Sequence, residues 1–318
     1  MDLTEFQTLA RDIRTEIGAV VQGQDKLIDM LLISIFARGH VLLEGPPGTA
    51  KTLVARCLAQ VVDLDFGRVQ FTPDLMPGDV LGVNLFSFET NEFRLTKGPV
   101  FTDILLADEI NRAPPKTQSA LLQAMNEREV TIDGKNHPLG DDFFIVATQN
   151  PIEQHGTYPL PEAQLDRFLF KILVDFPDRD TEIDILRTIA ALPLSADSGR
   201  TSLRKVMDRP TLHAGHALVD SIRLDDTILT YIVDLIRATR SDGDIQHGAS
   251  TRVASALAGA VRAKAALDGR DYAIPDDVQA LLIPAMRHRL VLGPGAEIEG
   301  HTTDDVLRTV INRTDAPR

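Results

Sequence analysis

Two short stretches hold residue types whose spacing suits phosphate chemistry. The first is GPPGTAKT, Gly45 to Thr52, set between the apolar run HVLLE and the helical pattern LVARCLA. Glycines at 45 and 48 let the backbone wrap closely round an anion and present several N–H groups to it. Lys51 can reach the β- and γ-phosphates of a nucleoside triphosphate, and the Thr52 hydroxyl can bind Mg²⁺. A helix beginning near Lys51 points its positive end at the same anions. Gly45, Pro46, Pro47, Gly48, Thr49, Ala50, Lys51, Thr52 and Leu53 are therefore the candidate ATP-contacting residues of this loop. Ala50 stands where a last glycine is usual; at a helix entrance with negative φ the added methyl is expected to be tolerated.

The second stretch is ILLADEINR. A strand ending in Asp108-Glu109 puts two carboxylates at its C-terminal edge, where α/β sheets place their ligands. Asp108 can hold Mg²⁺ through water, and Glu109 can take a proton from an attacking water as general base. A further strand, FFIVATQN, ends in Asn150. An Asn before proline is by itself a turn residue; third in this order, its amide is a candidate sensor of the γ-phosphate that orients the same water.

Those residues need a scaffold that delivers strand ends to one edge. HVLLE (40–44), RVQF (68–71), DILLAD (103–108), DFFIVATQN (142–150) and FLFKILVDF (168–176) are strand-like, and mostly continuous apolar runs between helical patterns imply a parallel sheet covered on both faces. After Pro177 strand signals vanish. TEIDILRTIAAL, DTILTYIVDLIRAT, TRVASALAGAVRAKAAL and PDDVQALLIPAM all carry a helical period, and LPLSADSGRTS (192–202) reads as an exposed linker. The expected organisation is an α/β nucleotide-binding domain over 1–178 followed by a helical domain over 179–318.

Two segments interrupt the alternation. Within 72–100 the pattern around ETNE suggests a hairpin with Phe86 and Phe88 opposite Phe93 and Leu95. Within 129–139, EVTIDGKNHPL turns at Asp133-Gly134, a strong two-residue turn signal. Loops added to a rigid scaffold often carry function.

Composition narrows the partners. Acidic residues outnumber basic ones, 46 to 33, for a formal net charge of −13. Such a surface repels phosphate backbones at long range, so nucleic acid is not an expected partner. The N-terminus has no basic region of the secretory type, and the apolar stretch Met30–Ala37 is too short to span a bilayer, so the chain reads as cytoplasmic without membrane insertion. The lone Cys57 reads as a small buried side chain. His213 and His216 in HAGH stand one helical turn apart, but no further ligand of matching pattern lies nearby, and no structural metal is expected.

GPPGTAKT, LLADEINRAPPKTQSALLQAMNERE, ATQNPIEQHGTYPLPEAQLDRF and HGASTR together resemble the MoxR family of AAA+ ATPases, over nearly the whole chain from about residue 20 to 290. Magnesium chelatase ATPase subunits and MCM helicases share the plan but match these blocks less closely. The resemblance implies an AAA+ parallel-sheet α/β domain with a C-terminal all-helical lid, assembled as a ring of probable six-fold stoichiometry that hydrolyses ATP with Mg²⁺. It implies a chaperone-like activity on a protein client, with a von Willebrand factor A-domain protein as partner; a nucleic-acid motor or a chelatase-type subunit is the alternative. Arg167 matches the arginine finger that reaches a neighbour's γ-phosphate, and Arg252 the second sensor arginine, with Thr251 where the family often has proline. Gln22 and Gly23, within VVQGQ, match the segment that lies against the adenine. Segments 72–100 and 129–139 match the helix-2 insert and the hairpin before the first sensor. Arg112 and Arg128 lie in matching blocks without an assigned role.

Overall fold

The computed structural model describes residues 1–151, 156–190 and 203–317. The linker read at 192–202 lies outside the described residues. The first half runs α1 (Leu3–Gly18), α2 (Asp25–Phe36), β1 (His40–Glu44), α3 (Lys51–Val61), β2 (Phe66–Gln70), α4 (Pro77–Leu81), β3 (Gly82–Ser87), β4 (Glu92–Lys97) and β5 (Ile104–Asp108). It continues with α5 (Pro115–Glu127), β6 (Glu129–Ile132), β7 (Lys135–Pro138), β8 (Phe144–Gln149), α6 (Glu162–Leu165) and β9 (Phe168–Leu173).

Five of these strands form one sheet in the order β2-β5-β8-β1-β9, and all its pairings are parallel. Successive side chains point to opposite faces. Val41, Leu43, Ile104, Leu106 and Val146 therefore join the core formed with α1, α2 and α3. Leu42, Leu105, Ala107, Ile145 and Ala147 join a second core with α5 and the 129–139 hairpin. Both faces are covered, which is why the strands read as unbroken apolar runs rather than alternating ones. The sheet order also decides function: β1, which leads into GPPGTAKT, lies between β8 and β9, with β5 beyond β8.

The C-terminal half comprises α7 (Arg179–Ala190), α8 (Arg209–Ser221), α9 (Asp226–Ser241), β10 (Ile245–His247), α10 (Thr251–Leu267), α11 (Pro275–Met286), β11 (Val291–Leu292), α12 (Pro294–Ile298) and α13 (Thr303–Arg313). The sequence reads this half as all-helical; the structure keeps it helical but adds one short antiparallel pair, β10 and β11, with Ile245 opposite Leu292. Strands of three and two residues are too short to show an alternating pattern. Helices α8 and α13 fall outside the four runs read as helical, yet both carry capping side chains: Asp208 accepts from Thr211 N and Thr302 from Asp305 N. Leu212, Leu235, Leu257 and Leu281 share the apolar core of α1–α3 without a break. Among the described residues no helix is long and apolar enough to cross a membrane.

Helix α8 is fixed to the N-terminal edge of the sheet by charge. Arg209 donates to Asp103 and Asp142, each at 2.6 Å, and both carboxylates are buried. His213 Nε2 lies 2.8 Å from Asp142, and His216 Nε2 lies 3.0 Å from the Ile35 carbonyl. The histidine pair is thus structural.

The insert hairpin differs in register from expectation. Phe86 does face Phe93, but Leu95 faces Asn84, and Phe88 falls in the turn. The ring of Phe86 sits 5.2 Å from those of both Phe88 and Phe93, in edge-on geometry. Phe88 and Phe93 are 92% and 71% exposed, a large apolar tip left in solvent. The second hairpin turns at Asp133-Gly134, both with positive φ (48° and 76°), as a two-residue hairpin loop of this type requires. Asn84 donates to Asp133 at 2.8 Å and ties the two hairpins together.

Candidate functional site

The loop from Gly45 to Ala50 joins β1 to α3 across the C-terminal edge of the sheet. Gly45 is required by close packing: a Cβ there would stand 2.1 Å from the Val174 carbonyl oxygen. Gly48 is required by conformation instead, with φ +85° and open space around it. Ala50 overturns the expectation of negative φ. It is the N-cap of α3 in the left-handed region, at φ 62° and ψ 14°. That is the physical reason glycine is usual here, and alanine bears a cost of about 1–2 kcal/mol.

Lys51 folds back onto this loop, donating to the carbonyls of Gly45 (2.8 Å) and Pro46 (2.6 Å) and to Thr49 Oγ1 (3.3 Å). Burial pushes its ammonium below the ordinary lysine value, opposed by the charges of Asp108 and Glu109. Pro47 through Leu53 line a cleft of about 500 Å³. Its opposite walls are Arg68, Gln70, Asp108, Glu109, Thr148, Gln149 and Asn150, so the fold unites the lysine, the paired carboxylates and the asparagine in one site.

Asp108 accepts three hydrogen bonds. Thr148 Oγ1 donates at 2.6 Å, Arg68 Nη2 at 2.8 Å and Thr52 Oγ1 at 3.2 Å. Thr52 and Asp108 thus present hard oxygen donors side by side, which suits Mg²⁺ with its remaining positions filled by water and phosphate. Among the described residues no group of three or more His, Cys, Asp or Glu could hold a metal; a Mg²⁺ that arrives with its nucleotide needs none. Arg68, with its side chain half exposed, stands as the removable counter-ion of Asp108.

Glu109 adopts positive φ (57°) at the turn after β5 and is held there by Thr148, which accepts from its N–H at 2.9 Å. Its carboxylate accepts from Gln70 Nε2 at 2.8 Å and pairs with Arg112 at 3.1 Å. Arg68, Gln70 and Thr148 carried no signal in the sequence. Only the pairing of β2 with β5, and of β5 with β8, sets them beside the two carboxylates.

Four expected residues lie elsewhere. Arg167 and Arg252 line a separate cleft with His40, Arg128, Asp166 and Arg289. This cleft is at the other edge of the sheet: Phe168, next to Arg167, pairs with His40 at the start of β1, while the phosphate loop follows its end at Glu44. Among the described residues neither Arg167 nor Arg252 has an ion-pair partner, unlike Arg112 beside Glu109. Gln22 and Gly23 rest against α7, the former donating to Thr188 Oγ1 at 3.3 Å. A Cβ on Gly23, at φ +73°, would stand 2.6 Å from Thr181 Cγ2. Neither lines the phosphate-loop cleft.

Two other groups are settled by burial. Cys57 is enclosed, which pushes its thiol up to about 11 and leaves it unreactive. His40 is buried between Met125 and Ile145, with burial lowering its value to about 4.

Comparison with known proteins agrees with this arrangement. Residues 40–170 match the model of the ATPase family associated with various cellular activities (AAA), and residues 237–310 match that of the AAA lid domain. The protein YeaC of Bacillus subtilis (strain 168) is 44% identical over 301 residues, covering 95% of this chain and 92% of that one. Chaperone MoxR1 of Mycobacterium tuberculosis is 40% identical over 328 residues, covering 99% of this chain and 84% of that one. The crystal structure of a Cytophaga hutchinsonii protein assigned as an ATPase superposes with a TM-score of 0.90 at 37% identity, over 99% of this chain and 97% of that one. With the phosphate loop, the carboxylate pair and the parallel sheet in register, these similarities lead to one conclusion: the chain belongs to the MoxR family of AAA+ ATPases.

Proposed function

We propose that this protein hydrolyses MgATP at interfaces between copies of itself in a ring of six, and spends the cycle on remodelling a protein client. The observation that carries the interface is the separation of the two clefts. Arg167 stands beside the start of β1, and the phosphate loop begins after its end. Five extended residues span roughly 16 Å, too far for Arg167 to touch a γ-phosphate held by its own Lys51. An arginine that stabilises transition-state charge must then come from a neighbour. Arg252 lines the same cleft and reaches the same neighbour.

Within one site the residues divide the work. The N–H groups of the loop and Lys51 bind the phosphates, once Lys51 exchanges the Gly45 and Pro46 carbonyls for phosphate oxygens. Thr52 and Asp108 would hold Mg²⁺, which would supply positive charge to the bound phosphates. Glu109 takes the proton of the attacking water after releasing Gln70 and Arg112, and Asn150 orients that water. Gln22 and Gly23 flank the adenine. Residues 1–178 and 179–318 act as nucleotide-binding and lid domains.

Membership of the family and the name of the chaperone relative support a protein client. So do the exposed Phe86, Phe88 and Phe93, a surface suited to gripping apolar segments. A von Willebrand factor A-domain protein is the proposed partner. The reading as a nucleic-acid motor is disfavoured by the net charge of −13 and by a second hairpin whose strands carry only Lys135 and His137 as basic groups.

The experiment mixes two inactive variants, Arg167→Ala and Lys51→Ala. Each has one half of an interface intact, so mixed rings regain turnover where a sound finger meets a sound pocket. No recovery at any mixing ratio would refute action in trans. Strong, salt-sensitive stimulation of the wild type by DNA would favour the motor instead.

A further inference from the structure

Arg167 sits on a short turn between α6 and β9. The preceding α6 is four residues long and fully buries none of them; Leu165 packs only partly against the second core, and Gln164 donates to Ser119 Oγ at 3.1 Å. The Arg167 side chain itself has no hydrogen-bond or ion-pair partner among the described residues, and its N–H reaches Gln164 O at 3.3 Å.

A single side chain from the other half of the chain grips this turn at several points. Arg289 follows α11 and its side chain is only 3% exposed. Its Nε donates to Asp166 Oδ1 at 2.7 Å, and Nη2 donates to the backbone carbonyls of Asp166 (2.9 Å) and Phe168 (2.8 Å). Nη1 donates to Leu169 O at 3.2 Å and to Ala285 O near the end of α11. One planar guanidinium thus reads the backbone on both sides of Arg167. The adjacent His288 donates to the same Phe168 carbonyl at 3.0 Å. A buried arginine is costly, and similar anchoring by packing alone would be served by an apolar side chain. The rigid fork instead defines a direction for the chain it grips.

We propose that Arg289 is a positioning residue for Arg167, holding the Asp166–Leu169 turn so that the finger points into the neighbouring subunit's ATP site. The proposal rests on the reading of Arg167 as a finger in trans. It makes the lid of one subunit, through Arg289, set the rate at the site next door.

The test is a double-mutant cycle on basal ATPase of the full chain, with Arg289→Met, Arg167→Ala and both together. Single-turnover hydrolysis of labelled ATP keeps the slow variants measurable. Arg289→Met should lower kcat on the order of 100-fold, as a small misplacement of an aligned group does, with KM and ATP-analogue binding at its own loop unchanged. In the Arg167→Ala background the same change should alter kcat by less than about 2-fold, because a residue acting only through another has nothing left to lose. An equal loss in both backgrounds, or wild-type turnover in Arg289→Met, would overturn the proposal. Wild-type turnover in Arg167→Ala alone would instead remove the finger reading. If circular dichroism shows Arg289→Met unfolded, Asp166→Ala enters the same cycle, since it removes the Nε acceptor and leaves Arg289 itself in place. It should lower kcat only when Arg167 is present, and an equal loss without Arg167 would overturn the proposal.

Discussion

Acidification should destabilise this protein through His40, and the size of the effect follows from its two partners. The ring lies at the start of β1 and is 7% exposed. Nδ1 accepts from the Ile145 N–H at 3.1 Å, which leaves Nε2 to donate to the Met125 carbonyl at 3.2 Å. That is a neutral tautomer pinned from both sides, and a second proton on Nδ1 would face the Ile145 N–H. Burial is the largest cause of its lowered value, opposed by the bond to Met125 and reinforced by the charge of Arg128. The value falls from 6.5 to about 4. The sign follows. Above pH 6.5 both folded and unfolded chains hold the ring neutral, so its contribution to stability is full there. Below 6.5 the unfolded chain binds a proton that the folded one refuses, and stability falls until the folded ring also titrates near pH 4. At about 1.4 kcal/mol per pH unit the loss reaches about 3 kcal/mol over that window. Urea denaturation at pH 7, 6 and 5 measures it, comparing the wild type with His40→Gln, whose amide keeps a donor and an acceptor but does not titrate. The difference in stability between the two should narrow by about 2 kcal/mol from pH 7 to pH 5. Parallel pH profiles would refute the reasoning.

Replacing Ala50 by glycine tests the backbone at the phosphate loop. At φ 62° the change relieves about 1–2 kcal/mol of strain, offset by about 0.4–1 kcal/mol of unfolded-chain entropy and part of a methyl's burial, so a net gain of about 0.5 kcal/mol is expected. At a negative φ the same change would destabilise, so the sign measured in denaturant decides. Glu109→Gln should bind an ATP analogue as the wild type does while phosphate release slows by about 10²–10⁴-fold; undiminished release would remove Glu109 from the role of base.

Much of the site is legible in the order of residues because the signals are local. A strand, two glycines, Lys51 and Thr52 within one turn of helix announce an anion-binding loop, and apolar runs ending in Asp108-Glu109 and Asn150 announce parallel strands with polar tips. Those strands appear within a residue or two of their expected limits, except that β9 ends three residues sooner, at Leu173. The φ of Ala50 was not legible, because φ at a cap depends on how the preceding loop enters the helix, which neighbouring residue types do not reveal. The pair β10–β11 escaped notice for the related reason that its partners lie more than forty residues apart and are too short to show a period.

The residue types thus determined what chemistry the chain carries, since a lysine, two carboxylates and an asparagine keep those capacities wherever they fall. The tertiary structure decided where each one acts. Strand order sets Arg68, Gln70 and Thr148 round Asp108 and Glu109, and separates Arg112 from Arg128, which the sequence left equivalent. It puts Arg167 and Arg252 at the edge opposite the phosphate loop and brings Arg289 across 120 residues to the turn beside Arg167. Such distances arise because a parallel sheet carries every strand's C-terminal end to one edge and its N-terminal end to the other. An arginine that begins a strand is thereby kept from the phosphates bound where its neighbours end.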